Sequence, residues 1–406
     1  MLACASDAVA ADRIRILSIG DPFASVLSGR QQAFEQLLGM EISIELAGYT
    51  ELRRRILLNA FAPESDFDLI AIDMGWAPEV AGAGLVLPLD DLLADARVDL
   101  SSLLPSARAG ATINDQIVGL PVQPHAEVLF YDSMLLGALG LPPPETTDEL
   151  LSIGQALHRE GANERAGICW NAQRGAALGQ TMLHLLAAFG GSPLGPNGEA
   201  TLDTPEMRAA IRYALALLAI SPPDILAMAW DERVEAFAAG RCAMTYAWTG
   251  RTLIMERLGI DFQSGSIGVT APPHAAGKPR VTPLGAWLLA MPANLAADRR
   301  PIALRALLRL TSEDANRRYL EAGVGTLLHT SLLADQALVA KNPAFRLLGA
   351  LEEDGELMDW MRPSISQFQA LSEILGTEVH SVLVGQQDVS AATAAARAAF
   401  TRMLKE

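Results

Sequence analysis

Along the first third of the chain, short apolar runs alternate with segments whose apolar residues recur at helical spacing. "RIRILSI" (13–19), "ISIELA" (42–47) and "FDLIAID" (67–73) read as strands. Between the first two, Val26, Phe34, Leu37 and Leu38 give one face of a helix over 25–38. Thr50 is the expected cap of a second helix running to Phe61, with acidic Glu51 in its first turn. Strands separated by helices of this length predict a parallel sheet with helices on both faces. Ligands of such sheets sit beyond the carboxyl ends of the strands. The loops leaving those ends carry Asp21-Pro22-Phe23, Gly48-Tyr49 and Asp73-Met74-Gly75-Trp76.

The pattern then changes. In "DQIVGLPVQPHAEVLFYD" a short strand meets Pro121 and Pro124 before a second strand runs to Tyr131. Prolines that close together stiffen a segment, which is expected where a chain crosses from one lobe to another. In "LGLPPPETTDELL" the prolines make a rigid turn, and Thr146 with Glu149 forms a capping-box pattern ahead of an amphipathic helix. A second series follows: strand "AGICW", a helix over 175–189, a helix opened by Thr204-Pro205-Glu206, and strands "RCAMTYAW" and "GSIGV". "VTPLGAWLLAMP" is expected to recross to the first lobe, and beyond Asp298 the pattern is nearly all helical. No repeat at solenoid period and no low-complexity tract interrupts it.

Length and composition narrow the classes. A chain of 406 residues exceeds one ordinary core, so two large domains are expected. Half of the residues are apolar, which suits a packed globular protein. The net charge of −16 disfavours nucleic acid and anionic lipid as partners. No apolar run reaches the roughly 18–20 residues a membrane span needs. Near the start, Ala8 and Ala10 stand in an A-x-A arrangement. Residues 1–11 are therefore expected to be the remnant of an export signal cut after Ala10, with a lipoprotein site at Cys4 as an alternative. Cys169 and Cys242 are expected to be buried free thiols, a disulfide being the alternative.

Several segments, in order, resemble one family. "DLIAIDMGWAPEVAGAGLVLPLDDLL" resembles a strand, aromatic, short helix and Gly-x-x-x-Pro-Leu turn. "QIVGLPVQPHAEVLFYDSMLLGALGLPPPETTDELL" is similar to a Gly-Leu-Pro, Tyr, Gly, Pro-x-Thr-x-x-Glu-Leu crossing block. "FAAGRCAMTYAWTG" resembles a Phe-x-x-Gly-x-x-Ala-Met strand, and "GQQDVSAATAAARAAFTRML" a closing helix. Together they resemble the family 1 extracellular solute-binding proteins, the maltose-binding-protein-like carbohydrate receptors of ABC importers. Two departures fall near ligand loops: Leu284-Gly285 replaces a double glycine, and "GVGTLLHTS" lacks a proline.

The resemblance implies an α/β, two-lobed periplasmic-binding-protein-like fold with the ligand cleft between the lobes and a helical C-terminal part. Residues 12–122 and 286–330 would form the N-terminal lobe, and 123–285 and 331–406 the C-terminal lobe. It also implies a periplasmic, monomeric receptor that takes a sugar or polyol and delivers it to an inner-membrane ABC permease with its ATPase. No cofactor or metal is implied. "GICWNAQRG" resembles a segment of the polyol-type receptors.

A sugar site needs paired hydrogen-bond acceptors and flat apolar surface. Asp21 and Asp73, at strand ends, fit the acceptor role, though each could simply cap a helix. Phe23 lies in the same loop as Asp21, and Trp76 in the loop of Asp73. Trp248, where the resemblance places an aromatic beneath the sugar, and Trp287 beside Gly285 are candidate stacking groups. Trp170 and Arg174 could face the cleft, and Gln123 and His125 sit in the crossing segment. Arg362 lies near a third crossing; Trp230 and Trp360 read as helix packing. An enzyme would need a pair of carboxylates at glycosidase spacing, for which Asp21, Asp73 and Glu127 are the candidates. No nucleophile elbow, zinc-protease motif or phosphate loop appears, the last excluding the importer's own ATPase. A polyamine receptor of the same fold is the remaining alternative.

Overall fold

A computed structural model of the chain describes residues 13–160, 165–358 and 363–405. The expected export remnant, Trp360 and Arg362 lie outside the described residues. The strands are β1 (Arg13–Ile19), β2 (Glu41–Ala47), β3 (Leu69–Asp73), β4 (Thr112–Ile113), β5 (Gln116–Ile117) and β6 (Leu120–Asp132). There follow β7 (Ala166–Cys169), β8 (Cys242–Trp248), β9 (Ile267–Thr270), β10 (Thr282–Ala290) and β11 (Leu357–Met358). The main sheet runs β2-β1-β3-β10-β6-β8-β7, with β9 joined to β6 and β11 to β10; β4 and β5 form a separate small hairpin.

β1 pairs parallel with β2 and β3, as the strand–helix alternation requires. β10 is antiparallel to both β3 and β6, and β6 is antiparallel to β8. The proline-bearing β6 and the returning β10 are thus the crossing strands. β10 pairs with β3 at Trp287–Ala290, β6 pairs with β8 and β9 over 127–132, and the two strands pair with each other between. Pro121 and Pro124 have no backbone N–H to give, and the register between β6 and β10 shifts at Trp287/Leu288.

Two large apolar cores flank this crossing. The first gathers Ile14, Phe34, Leu52, Leu69, Leu288 and Tyr319 under β1, β2 and β3. The second gathers Ile168, Trp170, Leu186, Met207, Met244, Phe368 and Phe400. Leu332, Phe345, Leu348 and Leu357 belong to the first core. In the second, the helices Ala176–Ala188 and Phe368–Leu383 touch backbone to backbone. A Cβ on Gly179 would collide with the Ser372 carbonyl, and one on Gly376 with the Gly175 carbonyl. This close seating fixes the helix that carries Gln180, Thr181 and His184.

The local signals are realised unevenly. Thr146 and Glu149 form the reciprocal capping box: the Glu149 N–H donates to Thr146 Oγ1 at 3.2 Å and the Thr146 N–H to Glu149 Oε2 at 3.0 Å. Thr204 caps the helix Pro205–Leu218 through the Met207 N–H. The single helix expected over 25–38 is two, Pro22–Gly29 and Gln31–Leu38, because Arg30 leaves the helical region at φ −120°. Thr50 is not a cap: the helix begins at Tyr49, with extended Gly48 before it and no side chain capping it.

Cys169 and Cys242 are disulfide-bonded rather than free, a correction to the expectation. β7 and β8 are parallel neighbours, and the Cα atoms of the two cysteines lie 5.8 Å apart. The bond closes a sequence separation of 73 residues, so chain entropy assigns it about 4 kcal/mol. Cys169→Ala/Cys242→Ala, or reduction, is expected to lower the melting temperature by about 3–5 °C by calorimetry. An unchanged melting temperature would mean that the bond contributes nothing to the native state.

Candidate functional site

The sheet register assembles the site. Trp287 on β10 lies opposite Asp73 on β3 and Gln123 on β6. Gly285 lies opposite His125, and Glu127 opposite Trp248. Residues distant in sequence are thereby brought to the place where the two crossing strands pass between the cores.

Asp21 holds the N-cap position of Pro22–Gly29, yet its carboxylate does not cap that helix. Its Oδ2 accepts from Trp287 Nε1 at 2.6 Å and Gln123 Nε2 at 3.1 Å, and its Oδ1 accepts from the Arg251 guanidinium. Gln123 Oε1 accepts the Phe23 N–H at 2.8 Å, and Gln123 Nε2 meets His125 Nδ1 at 3.2 Å. An amide nitrogen only donates, so His125 Nδ1 is the acceptor and its Nε2 carries the proton. Arg251 also pairs with Asp231 at 2.8 Å. Burial works against the Arg251 charge, but Asp21 and Asp231 outweigh it and hold the guanidinium above its ordinary pKa.

Asp73 both caps and faces the cleft. Its Oδ1 accepts the Gly75 N–H at 2.8 Å, and its Oδ2 accepts the Tyr49 hydroxyl at 2.9 Å. The Tyr49 ring centre lies 4.5 Å from Trp76, 5.3 Å from Trp230 and 6.2 Å from Trp287. On the other wall the His125 ring meets Trp248 edge-on at 4.7 Å. The space between these groups is a cleft of about 510 Å³, within the usual range for small-molecule sites. Two contacts tie its sides together: Gln180 Nε2 reaches the Tyr49 hydroxyl at 3.5 Å, and Trp76 Nε1 reaches Gln369 Oε1 at 3.4 Å.

Of the residues singled out in the sequence, Asp21, Asp73, His125, Trp248 and Trp287 line this cleft. Gln123 is fully buried and works from behind, joining Asp21 to His125. Trp76 is also behind the wall, packed on Tyr49 and Trp287. Phe23 is core, edge-on to Tyr319 at 6.4 Å. Gly285 is a buried strand position off the lining. Trp170 does not face the cleft: it is buried in the second core, where its Nε1 donates to Ser221 Oγ at 2.9 Å. Arg174 is exposed and off the lining. Trp230, expected in helix packing, instead lines the cleft from the turn before the helix Glu232–Ala238. Tyr49, Gln180 and Arg251 were not among the sequence candidates, although Tyr49 leaves the carboxyl end of β2, where the strand-end rule points. Glu127 is no exposed carboxylate: it is bound by Arg233 behind Trp248. No helix among the described residues is long and apolar enough to cross a membrane, and none of the described residues form a metal-holding group.

Residues 22–298 match the sequence model of a bacterial extracellular solute-binding protein family. A mannitol-binding protein of Pseudomonas aeruginosa is 25% identical over 377 residues, 87% of this chain and 84% of that protein. The crystal structure of an ABC transporter solute-binding protein from Agrobacterium radiobacter K84, in complex with ribitol, aligns at a TM-score of 0.87 and 26% identity, covering 96% of this chain and 98% of its own. Maltose-bound T. maritima MalE3 aligns at 0.84 and 22% identity, covering 97% and 99%, a likeness of fold. The two cores joined by crossing strands and the length of the family match lead to the same place: the chain belongs to the bacterial extracellular solute-binding proteins.

Proposed function

We propose that the protein captures a sugar or polyol in the cleft by hinge closure and hands it to the membrane permease of an ABC importer. The observation that carries this reading is the lining. Trp230, Trp248, Trp287 and Tyr49 offer flat apolar faces, and Asp21, Asp73, His125, Gln180 and Arg251 offer donors and acceptors between them. Hydroxyls on a carbon chain or ring need both. The mannitol-binding relative and the ribitol complex support this ligand class. The contacts of Tyr49 with Gln180 and of Trp76 with Gln369 support closure, since they bind the two sides of the cleft to each other.

In this reading the protein works as a monomer after export to the periplasm, without cofactor or catalytic step. The disulfide favours an oxidising compartment. The proposed lobes divide at the crossings, near 122/123 and 285/286. The segment 331–357, expected in the C-terminal lobe, packs into the first core, which also holds Val234, Leu253, Met255 and Phe262 of that lobe.

A thermal-shift screen over hexoses, pentoses, alditols, disaccharides, polyamines and amino acids tests the reading. A ligand at 100 times its dissociation constant adds about 2.7 kcal/mol. In a chain of 406 residues that is a rise of about 3 °C. A rise with a sugar or alditol is the expected result. A rise with polyamines or amino acids alone, or with nothing, would overturn it.

A further inference from the structure

Behind Trp248 lies a second, much smaller cavity of about 20 Å³, room for one hydroxyl-sized oxygen. It shares Trp248 and Gln180 with the main cleft, and its other polar walls are Glu127, Asn171, Thr181 and His184. Asn171 is 2% exposed, Thr181 5% and His184 4%. Asn171 Oδ1, Thr181 Oγ1 and His184 Nε2 have no hydrogen-bond partner among the described residues. Buried polar atoms are nearly always satisfied, so three such atoms around one small space point to a group that belongs there.

The chemistry of the walls selects that group. Glu127 is neutralised by Arg233, with N–O distances of 2.5 and 3.2 Å. Burial pushes the His184 imidazole down to about 4, so it is uncharged at neutral pH. An ammonium would meet no free negative charge, and a carboxylate no free positive one. A hydroxyl can donate to Asn171 Oδ1 and accept from Thr181, with His184 as a further partner. Gln180 and Trp248 are the walls common to the recess and the cleft, and Gln180 Nε2 lies 3.5 Å from the Tyr49 hydroxyl, at the limit of a hydrogen bond.

We propose that this recess is a specificity subsite that receives the terminal hydroxyl of an acyclic polyol bound in the main cleft. The proposal rests on the sugar or polyol reading above and narrows it: the recess selects for a chain end that carries an oxygen.

The test is calorimetric titration of the full chain with D-mannitol and 1,6-dideoxy-D-mannitol, in which neither end can substitute for the other. The wild type is expected to bind the dideoxy compound about 30-fold more weakly. Thr181→Val, which replaces the hydroxyl with a methyl group, is expected to shrink that difference to under about 5-fold. Asn171→Ala is the second variant, with the same expectation, should the first not fold. An equal loss in wild type and variant would show that the recess holds only water, and would overturn the subsite. Binding of a cyclic sugar but of no alditol would overturn the subsite and leave the sugar or polyol reading standing. Silence across the whole panel would overturn both.

Discussion

Replacing Glu127 with alanine is expected to destabilise the protein by about 3–5 kcal/mol. The Arg233 side chain is 0% exposed and that of Glu127 7%. Nη1 and Nη2 of Arg233 meet Oε1 and Oε2 of Glu127 in a bidentate pair. Both side chains are buried, so removing one leaves the other charge inside the protein without its partner. At about 2.1 cal/mol/K per residue, the melting temperature of a 406-residue chain should fall by about 4–6 °C. Glu127→Leu with Arg233→Met should recover most of that loss, because the pair itself adds little once its desolvation is counted. A single substitution that costs less than about 1 kcal/mol would show that solvent reaches Arg233.

The ion pair also marks the limit of what the linear pattern conveys. Glu127 sits in an apolar strand run, and nothing local says whether it faces a cleft or a buried arginine 106 positions away. The strands and the strand-end loops were legible, since apolar runs and helical spacing are local properties. The side on which a tryptophan lands is not local. Trp170 and Trp230 exchange their expected places, because Ser221 offers Trp170 an acceptor inside the second core while the turn before Glu232 leaves Trp230 on the cleft wall. The disulfide was hidden for a similar reason: the parallel pairing of β7 with β8 is non-local, and only that pairing makes the cysteines neighbours. Asp21 and Asp73 were legible because the rule that marked them concerns the end of a strand, which the sequence does show. Arg251 was not, since it follows Trp248 by a single turn of 3₁₀ helix whose direction only the packed sheet determines.

Asp21→Ala is expected to weaken the binding of the sugar or polyol identified by the screen about 100-fold, or about 2.7 kcal/mol. A carboxylate has about four acceptor positions, and Trp287, Gln123 and Arg251 take three of those on Asp21. The remaining one points the residue toward a ligand hydroxyl, a charge-assisted bond of about 1.5–3 kcal/mol. The same carboxylate fixes the Trp287 ring and the Gln123 amide, so its loss also loosens the stacking wall and, through Gln123, the His125 ring. Asp21→Asn separates the two effects. Its amide keeps the size of the side chain, but the NH₂ group faces donors on one side, so either the Trp287 and Gln123 bonds or the Arg251 bond must go. Binding of the asparagine variant should therefore fall nearly as far as that of the alanine variant. If the asparagine variant instead binds like the wild type, charge at this position is irrelevant to the ligand, and the acceptor role passes to Asp73. Arg251 keeps Asp231 at 2.8 Å in either variant, so the fold should survive and the titration should report binding rather than unfolding.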